Sequence, residues 1–397
     1  MITIKKKKTS RGLSVVFVRN PNLSGVSVTV FVHVGSSWEN KKNNGISHLL
    51  EHLIFQNSSG EKTKKFFPLN LEFNAWTRKD LTVYEISHHK DNLKKIIEIL
   101  FSCVNNFDFS EDDLERQKEV VAREIKEREE EAFALLAEEM DGRLYKNSLN
   151  FKVSGEKKNL EQIDIKSLKS WYNRFYVPAN MILAVSGNFN TQQAFKTIED
   201  QEQQEKENKG NKFYPLFYPH YQKNGSNFSV NKNFDQAYLS LAFPAPVKMG
   251  DVDYFKYLLL AEILDKQLKL LRKKESDLYD LDLYFHHFLH TGEIRLETST
   301  DKKRADRVRK KIAQQLYDLE ISSNFSEKLR GMVKKQFLLR KDSIDDLSSL
   351  AMYRLAGNKI FTPQQEAREI GKVKFEDLKK AKNNIINRNN CYSLKLK

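Results

Sequence analysis

Alternating apolar and polar positions open the chain, and helical periods follow. Leu13-Ser-Val-Val-Phe-Val-Arg19 runs into a turn at Asn20-Pro21-Asn22, and Val26–Val34 alternates β-branched with small polar residues, so residues 11–35 are predicted to form strands. Residues 44–57 read as a helix opened by Asn43, Asn44 and Ser47. Residues 71–87 alternate again as a strand, and 91–106 form an amphipathic helix with Leu93, Ile96, Ile97 and Leu100 on one face. Ser110 caps a longer helix whose first turn holds Glu111, Asp112 and Asp113, where the helix dipole favours acids; its pattern extends towards Tyr145. Ser167–Phe175 is helical, and Met181–Val185 is a short buried strand ending at Gly187.

A polar segment rich in Gln, Glu, Lys and Asn then interrupts the pattern. Residues 1–195 are expected to form one domain, 196–228 a link and 229–397 a second domain. The second half repeats the grammar of the first: a strand at 236–243, a helix at 252–273, a strand pair within 283–298, helices at 302–319 and 326–341, and a last strand at 391–397. Each half is α+β. No residue-level repeat is visible, so only the order of elements points to a duplication.

Composition narrows the classes. With 397 residues, 40% of them hydrophobic and including 26 Phe and 15 Tyr, the chain is too apolar and aromatic for disorder. No apolar run approaches the roughly 18 residues of a membrane-spanning helix. The net charge of +14 admits anionic partners, but the lysines are scattered, and no RNP sequence, Cys/His finger or Gly-rich phosphate loop accompanies them; no nucleic-acid role is expected. Two distant cysteines, Cys103 and Cys391, build neither a disulfide framework nor a thiolate zinc site. The first residues lack the apolar stretch of a secretory signal, which makes the cytoplasm the expected location.

The most informative residues are His48-Leu-Leu-Glu51-His52. On a helix, positions i and i+4 share a face, so both imidazoles can ligate one zinc ion, while Glu51 at the edge of that face can reach a water beside the metal. Catalytic zinc takes three protein ligands and leaves one position for water. The third ligand is expected from the acid-rich helix beginning near residue 111. There Leu114, Val120, Val121 and Ile125 define the buried side; Glu124 lies beside Val120 and Val121 and faces inward, with Glu127 a close decoy one turn on.

Four blocks in order resemble the pitrilysin/insulysin family of inverted-motif zinc peptidases, and most closely its short bacterial branch, similar to mitochondrial processing peptidase subunits. They are Gly45-Ile-Ser-His48-Leu-Leu-Glu51-His52-Leu-Ile-Phe, Asn74-Ala-Trp-Thr77-Arg-Lys-Asp80-Leu-Thr82-Val-Tyr84, Glu115–Glu124, and Leu271-Arg272 through Leu278-Tyr279. The resemblance implies His48, His52 and Glu124 as ligands of one zinc ion per chain and Glu51 as general base. It implies Asn74, Ala75 and Thr77 in a strand that receives the substrate backbone, and Arg272 and Tyr279 as the pair at the substrate carbonyl. It also implies two similar domains, each a mostly antiparallel sheet with helices on one face, that together form half of a clamshell. A zinc endopeptidase acting on small or unfolded peptides is therefore expected, the alternative being an inactive subunit or scaffold of the same fold. The expected partner is a second copy completing each site in trans, or else a related chain.

The chain departs from the family pattern in places. Gln117 stands where the family usually has a second glutamate, and as a neighbour of a ligand imidazole it is a weaker acceptor. Asn70 and Asp277 replace family glycines, and the His52-to-Glu124 spacing is a few residues short, a difference assigned to 56–69. His286 and His290 also stand four apart, but in a strand-like region this spacing separates them by about 13 Å, so no second zinc site is expected there.

Overall fold

The computed structural model describes residues 2–59, 71–204, 221, 226–272 and 279–397. The positions of Asn70 and Asp277 and most of segment 56–69 lie outside the described residues. The chain folds into two compact units that do not part at a single point. The first comprises Met1–Ile125, Phe151–Leu216 and Leu339–Thr362, and the second Lys126–Asn150, Phe217–Leu338 and Pro363–Lys397. A cut within 196–228 therefore leaves two segments on the wrong side, 126–150 and 339–362.

In the first unit the elements run β1 (Thr3–Lys8), β2 (Ser14–Arg19), β3 (Gly25–Val32), α1 (Ile46–Ser59), β4 (Glu72–Thr77), β5 (Thr82–His89), α2 (Leu93–Val104) and α3 (Glu111–Glu130). After α4 (Ala132–Leu144), which belongs to the second unit, come α5 (Ile165–Phe175), β6 (Met181–Gly187) and α6 (Thr191–Gln204). The sheet order is β1-β2-β6-β3-β5-β4. Only β2 and β6 pair in parallel. Alternation sets the faces. Val15 and Phe17, Val28 and Val30, Tyr84 and Ile86, and Leu183 and Val185 point to one side, against Leu49, Leu50 and Leu53 of α1, Ile96, Ile97 and Leu100 of α2, and Leu168 and Phe175 of α5. Each such side chain contributes about 1.5–3 kcal/mol when fully buried.

Two expectations change here. Residues 71–87 are not one strand but the β4–β5 hairpin. Its turn is closed by the Arg78 N–H donating to the Leu81 carbonyl at 2.8 Å, and is held by Ser37 N–H donating to the Lys79 carbonyl at 2.7 Å. Gly35 permits that approach, since a Cβ there would lie 2.1 Å from the Arg78 carbonyl oxygen. The long helix towards Tyr145 breaks at Glu131, whose extended backbone and side chain cap α4 by accepting from the Phe133 and Ala134 N–H groups.

The second unit contains β7 (Asn227–Val230), β8 (Ala237–Pro244), α7 (Val252–Arg272), β9 (Leu281–His287), β10 (Gly292–Thr300), α8 (Ala305–Asp318) and α9 (Ser323–Leu339). Past α10 (Ile344–Ser349), it closes with α11 (Phe375–Ile385) and β11 (Tyr392–Leu396). Its sheet order is β7-β11-β8-β10-β9, with only β7 and β11 parallel. With β1 set aside, the first sheet reads β2-β6-β3-β5-β4, which is the same topology strand for strand. A residue-level match underlies it. Asn180, just before β6, donates its side-chain amide to the carbonyls of Phe175 and His33. Asn390, just before β11, donates to those of Ile385 and Pro244 in the same way. In each half the asparagine ties the end of a helix to the end of the second strand.

Segment Leu339–Thr362 belongs to the first unit although it follows α9. Its helix α10 packs on β3 and β6, where Ser348 and Ser186 share a hydrogen bond at 2.8 Å. Ser186 alternates with the helix-facing Val185, so α10 covers the sheet's second face. Gly25 makes room for it, because a Cβ there would lie 2.4 Å from Ile344 Cδ1.

Candidate metal centre

Helix α1 lies along β4, the last strand of the first sheet. It presents His48, Glu51 and His52 on one side, with α3 opposite. The two rings meet edge to face at a centroid distance of 4.6 Å. Nε2 of His48 and of His52 lie 3.6 and 3.4 Å from Oε2 of Glu124. All three donor atoms fall within 4.8 Å of one another. These separations are long for hydrogen bonds. They suit a shared ion: ligand atoms at about 2.0–2.2 Å from a tetrahedral zinc would stand roughly 3.3–3.6 Å apart. Two imidazoles and a carboxylate also form a donor set that zinc accepts. Glu127, nearly one turn further along α3, is exposed and outside this group.

Gln117, two turns before Glu124, reaches His52, its Oε1 lying 3.3 Å from Nδ1. With that carbonyl oxygen as acceptor, Nδ1 carries the proton and Nε2 turns its lone pair to the centre. Burial pulls the His52 imidazole down, but the carboxylates of Glu124 and Glu51 and the amide of Gln117 outweigh it and leave the net shift upward. A bound dication would reverse that balance and hold the imidazole neutral.

Glu51 is buried, at 6% exposure. Burial pushes its carboxyl up to about 7, against the pull of His52 and of the Thr77 hydroxyl, with Glu124 adding to the rise. Thr77 Oγ1 donates to Glu51 Oε2 at 3.1 Å. The resemblance gives Thr77 to the substrate; the structure places it on the carboxylate of Glu51, a link that spacing in the sequence does not reveal. Asn74 and Ala75 precede it on β4, which among the described residues pairs with β5 on one side only, leaving its other main-chain edge open. Tyr279 lies just before β9, its N–H donating to the Ser299 carbonyl at 3.2 Å and its side chain half exposed. Arg272 ends α7, and its side chain lies outside the described residues.

A second group, Asp141, His286 and Glu293, also brings potential ligands together. Its two carboxylates already have a cationic partner. Arg295 is buried between the carboxylates, with Nη2 2.5 Å from both Asp141 Oδ1 and Glu293 Oε1. His286 Nδ1 lies 2.7 Å from the same Glu293 oxygen, and Tyr145 donates to the other. A metal ion would have to displace the guanidinium. The cluster ties α4 to β9 and β10 inside the second unit. His290, the other histidine of the pair, lies past the end of β9 and outside this group.

Comparison with known proteins places the chain in a family. Residues 14–155 match the insulinase (peptidase family M16) model, and residues 162–337 match the M16 inactive-domain model. An uncharacterized zinc protease of Rickettsia felis is 23% identical over 392 residues, spanning 96% of this chain and 94% of its own. The mitochondrial-processing peptidase β subunit of Mus musculus is 30% identical over 176 residues, 42% of this chain and 35% of that subunit. A protease from Helicobacter pylori shares the fold over 100% of both chains, with a TM-score of 0.89 at 21% identity. Among the described residues no helix is long and apolar enough to cross a membrane. With both halves matched by that family's models and zinc proteases related along nearly the whole length, the chain belongs to the M16 (insulinase, or pitrilysin) peptidase family.

Proposed function

We propose that this chain is a zinc-dependent endopeptidase that hydrolyses small or unfolded peptides. The observation that carries the reading is the convergence of His48, His52 and Glu124 beside a buried Glu51 oriented by Thr77. The three ligands would hold the ion, and when bound it supplies a Lewis acid that acidifies water to near neutrality and polarises a carbonyl. Glu51 takes the proton of the attacking water and delivers it to the leaving amine, its burial keeping the carboxyl basic enough for both transfers. Thr77 aims Oε2 of Glu51 at that water. The open edge of β4 at Asn74 and Ala75 pairs with an extended peptide, fixing the scissile bond by main-chain hydrogen bonds.

Arg272 and Tyr279 supply a guanidinium and a phenol for the developing oxyanion. They act from a second copy of the chain, so that a homodimer carries two equivalent sites; a heterodimer with a related chain is the alternative. The experiment is hydrolysis of a mixed peptide library by the purified chain. Cleavage that a chelator abolishes and zinc restores supports the reading. No cleavage with one zinc bound per chain would turn it towards a scaffold of the same fold.

A further inference from the structure

Helix α1 carries two histidines and Glu51, yet its own sequence offers little to hold its start. Its first turn has no acidic residue, and Gly45 before it sits at φ +102°, where a side chain is strained. The first N–H groups of a helix have no partner within it and need an acceptor from elsewhere. The Asn43 backbone carbonyl takes one, the Ile46 N–H at 3.1 Å, but neither asparagine side chain accepts from the helix start. Oδ1 of Asn43 accepts from the Asn40 N–H, and the amide of Asn44 is a donor. The side-chain acceptor is Glu39, six residues before Gly45. Its buried carboxylate takes the Gly45 N–H at 2.7 Å and the Asn44 amide at 2.8 Å on Oε2, and the Ser47 N–H at 2.9 Å on Oε1. A carboxylate at this end also meets the positive pole of the helix. The other side is gripped as well. Asn44 donates to the Lys152 carbonyl at 2.8 Å, and Gly155 packs so closely that a Cβ there would lie 2.5 Å from the Asn44 carbonyl oxygen.

The residue after Ser47 is His48. It sits in the first turn of α1, His52 one turn later, and Glu124 on another helix. A loosened first turn therefore moves one ligand against two that stay in place. We propose that Glu39 is a positioning residue for the metal centre: by binding the amides that start α1, it fixes where the His48 imidazole stands. This rests on His48 being a ligand.

The test measures zinc affinity by chelator competition, with the d–d spectrum of the cobalt-loaded protein as a second readout, on the full chain and three variants. Glu39→Gln keeps the shape but cannot accept at both ends. It is expected to bind zinc about 10–100-fold more weakly, with shifted cobalt bands. Ser186→Ala removes a buried hydroxyl from the opposite face of the same sheet and should change neither readout. Wild-type affinity and spectrum in Glu39→Gln would overturn the proposal, as would an equal change in Ser186→Ala, which would mean general softening. Should Glu39→Gln fail to fold, Asn44→Ala decides. It removes one donor that orients Glu39, and weaker zinc binding supports the proposal while unaltered binding refutes it. Absence of zinc from the wild-type chain would instead refute the ligand set on which the proposal stands.

Discussion

The hydroxyl of Thr77, at the end of the edge strand β4, donates to Oε2 of Glu51 on helix α1 at 3.1 Å. One side chain thus links the strand proposed to receive the peptide to the carboxylate proposed to move its protons. Thr77→Val keeps the volume and removes the donor. Turnover is expected to fall about tenfold or more, the scale of a lost hydrogen bond to a charged group, while zinc content stays the same because no ligand is touched. Thr77→Ser should retain most activity. If Thr77→Val turned over like the wild type, Glu51 would be oriented by something else.

The choice of third ligand is tested by paired substitutions on α3. Glu124→Gln is expected to lose most of the bound zinc. Glu127→Gln, one turn on and exposed, should keep it. Metal analysis after dialysis reads the difference directly, and equal loss from both would place the ligand on the wrong turn.

The equivalence of Asn180 and Asn390 makes a prediction about stability. Each asparagine satisfies two carbonyls, one at a helix end and one at a strand end. Replacing either with Ala leaves those carbonyls unserved and should cost about 1–3 kcal/mol in urea denaturation. A loss well under that for one alone would mean that the two halves share a shape but not the means of holding it.

Assembly in trans is tested by complementation. Glu51→Gln chains and Arg272→Ala/Tyr279→Phe chains should each be inactive alone. After subunit exchange, a mixed dimer has one site with every lesion and one with none, so activity should return towards half per dimer. A mixture that stays inactive would mean that the pair acts within its own chain or that the copies do not pair.

The sequence carried much of this architecture, because the relevant signals are local. His48, Glu51 and His52 fall within five residues of one helix, and the apolar stripe of α3 was enough to turn Glu124 rather than Glu127 inward. Signals that depend on distant partners stayed hidden. Glu39 caps α1 across a loop, whereas the local sequence points to Asn43 and Asn44. The break at Glu131 follows the passage from one unit to the other, and the helical period runs on through it. The return of α10 to the second face of the first sheet depends on small residues at Gly25 and Ser186 more than 150 positions away in the chain. The likeness of the two halves lies in strand order and in two asparagines with matching partners.

In the proposed mechanism Glu51 moves protons beside a zinc ion it does not bind. The most direct measurement is zinc stoichiometry and peptide turnover on the same preparations of wild type and Glu51→Gln. Gln fills the same space and removes no ligand but cannot accept the proton. One zinc per chain is expected in both, and turnover lower by about a hundred- to ten-thousandfold in the variant, the range for loss of a general base. Ordinary turnover in Glu51→Gln, or loss of its zinc, would contradict it.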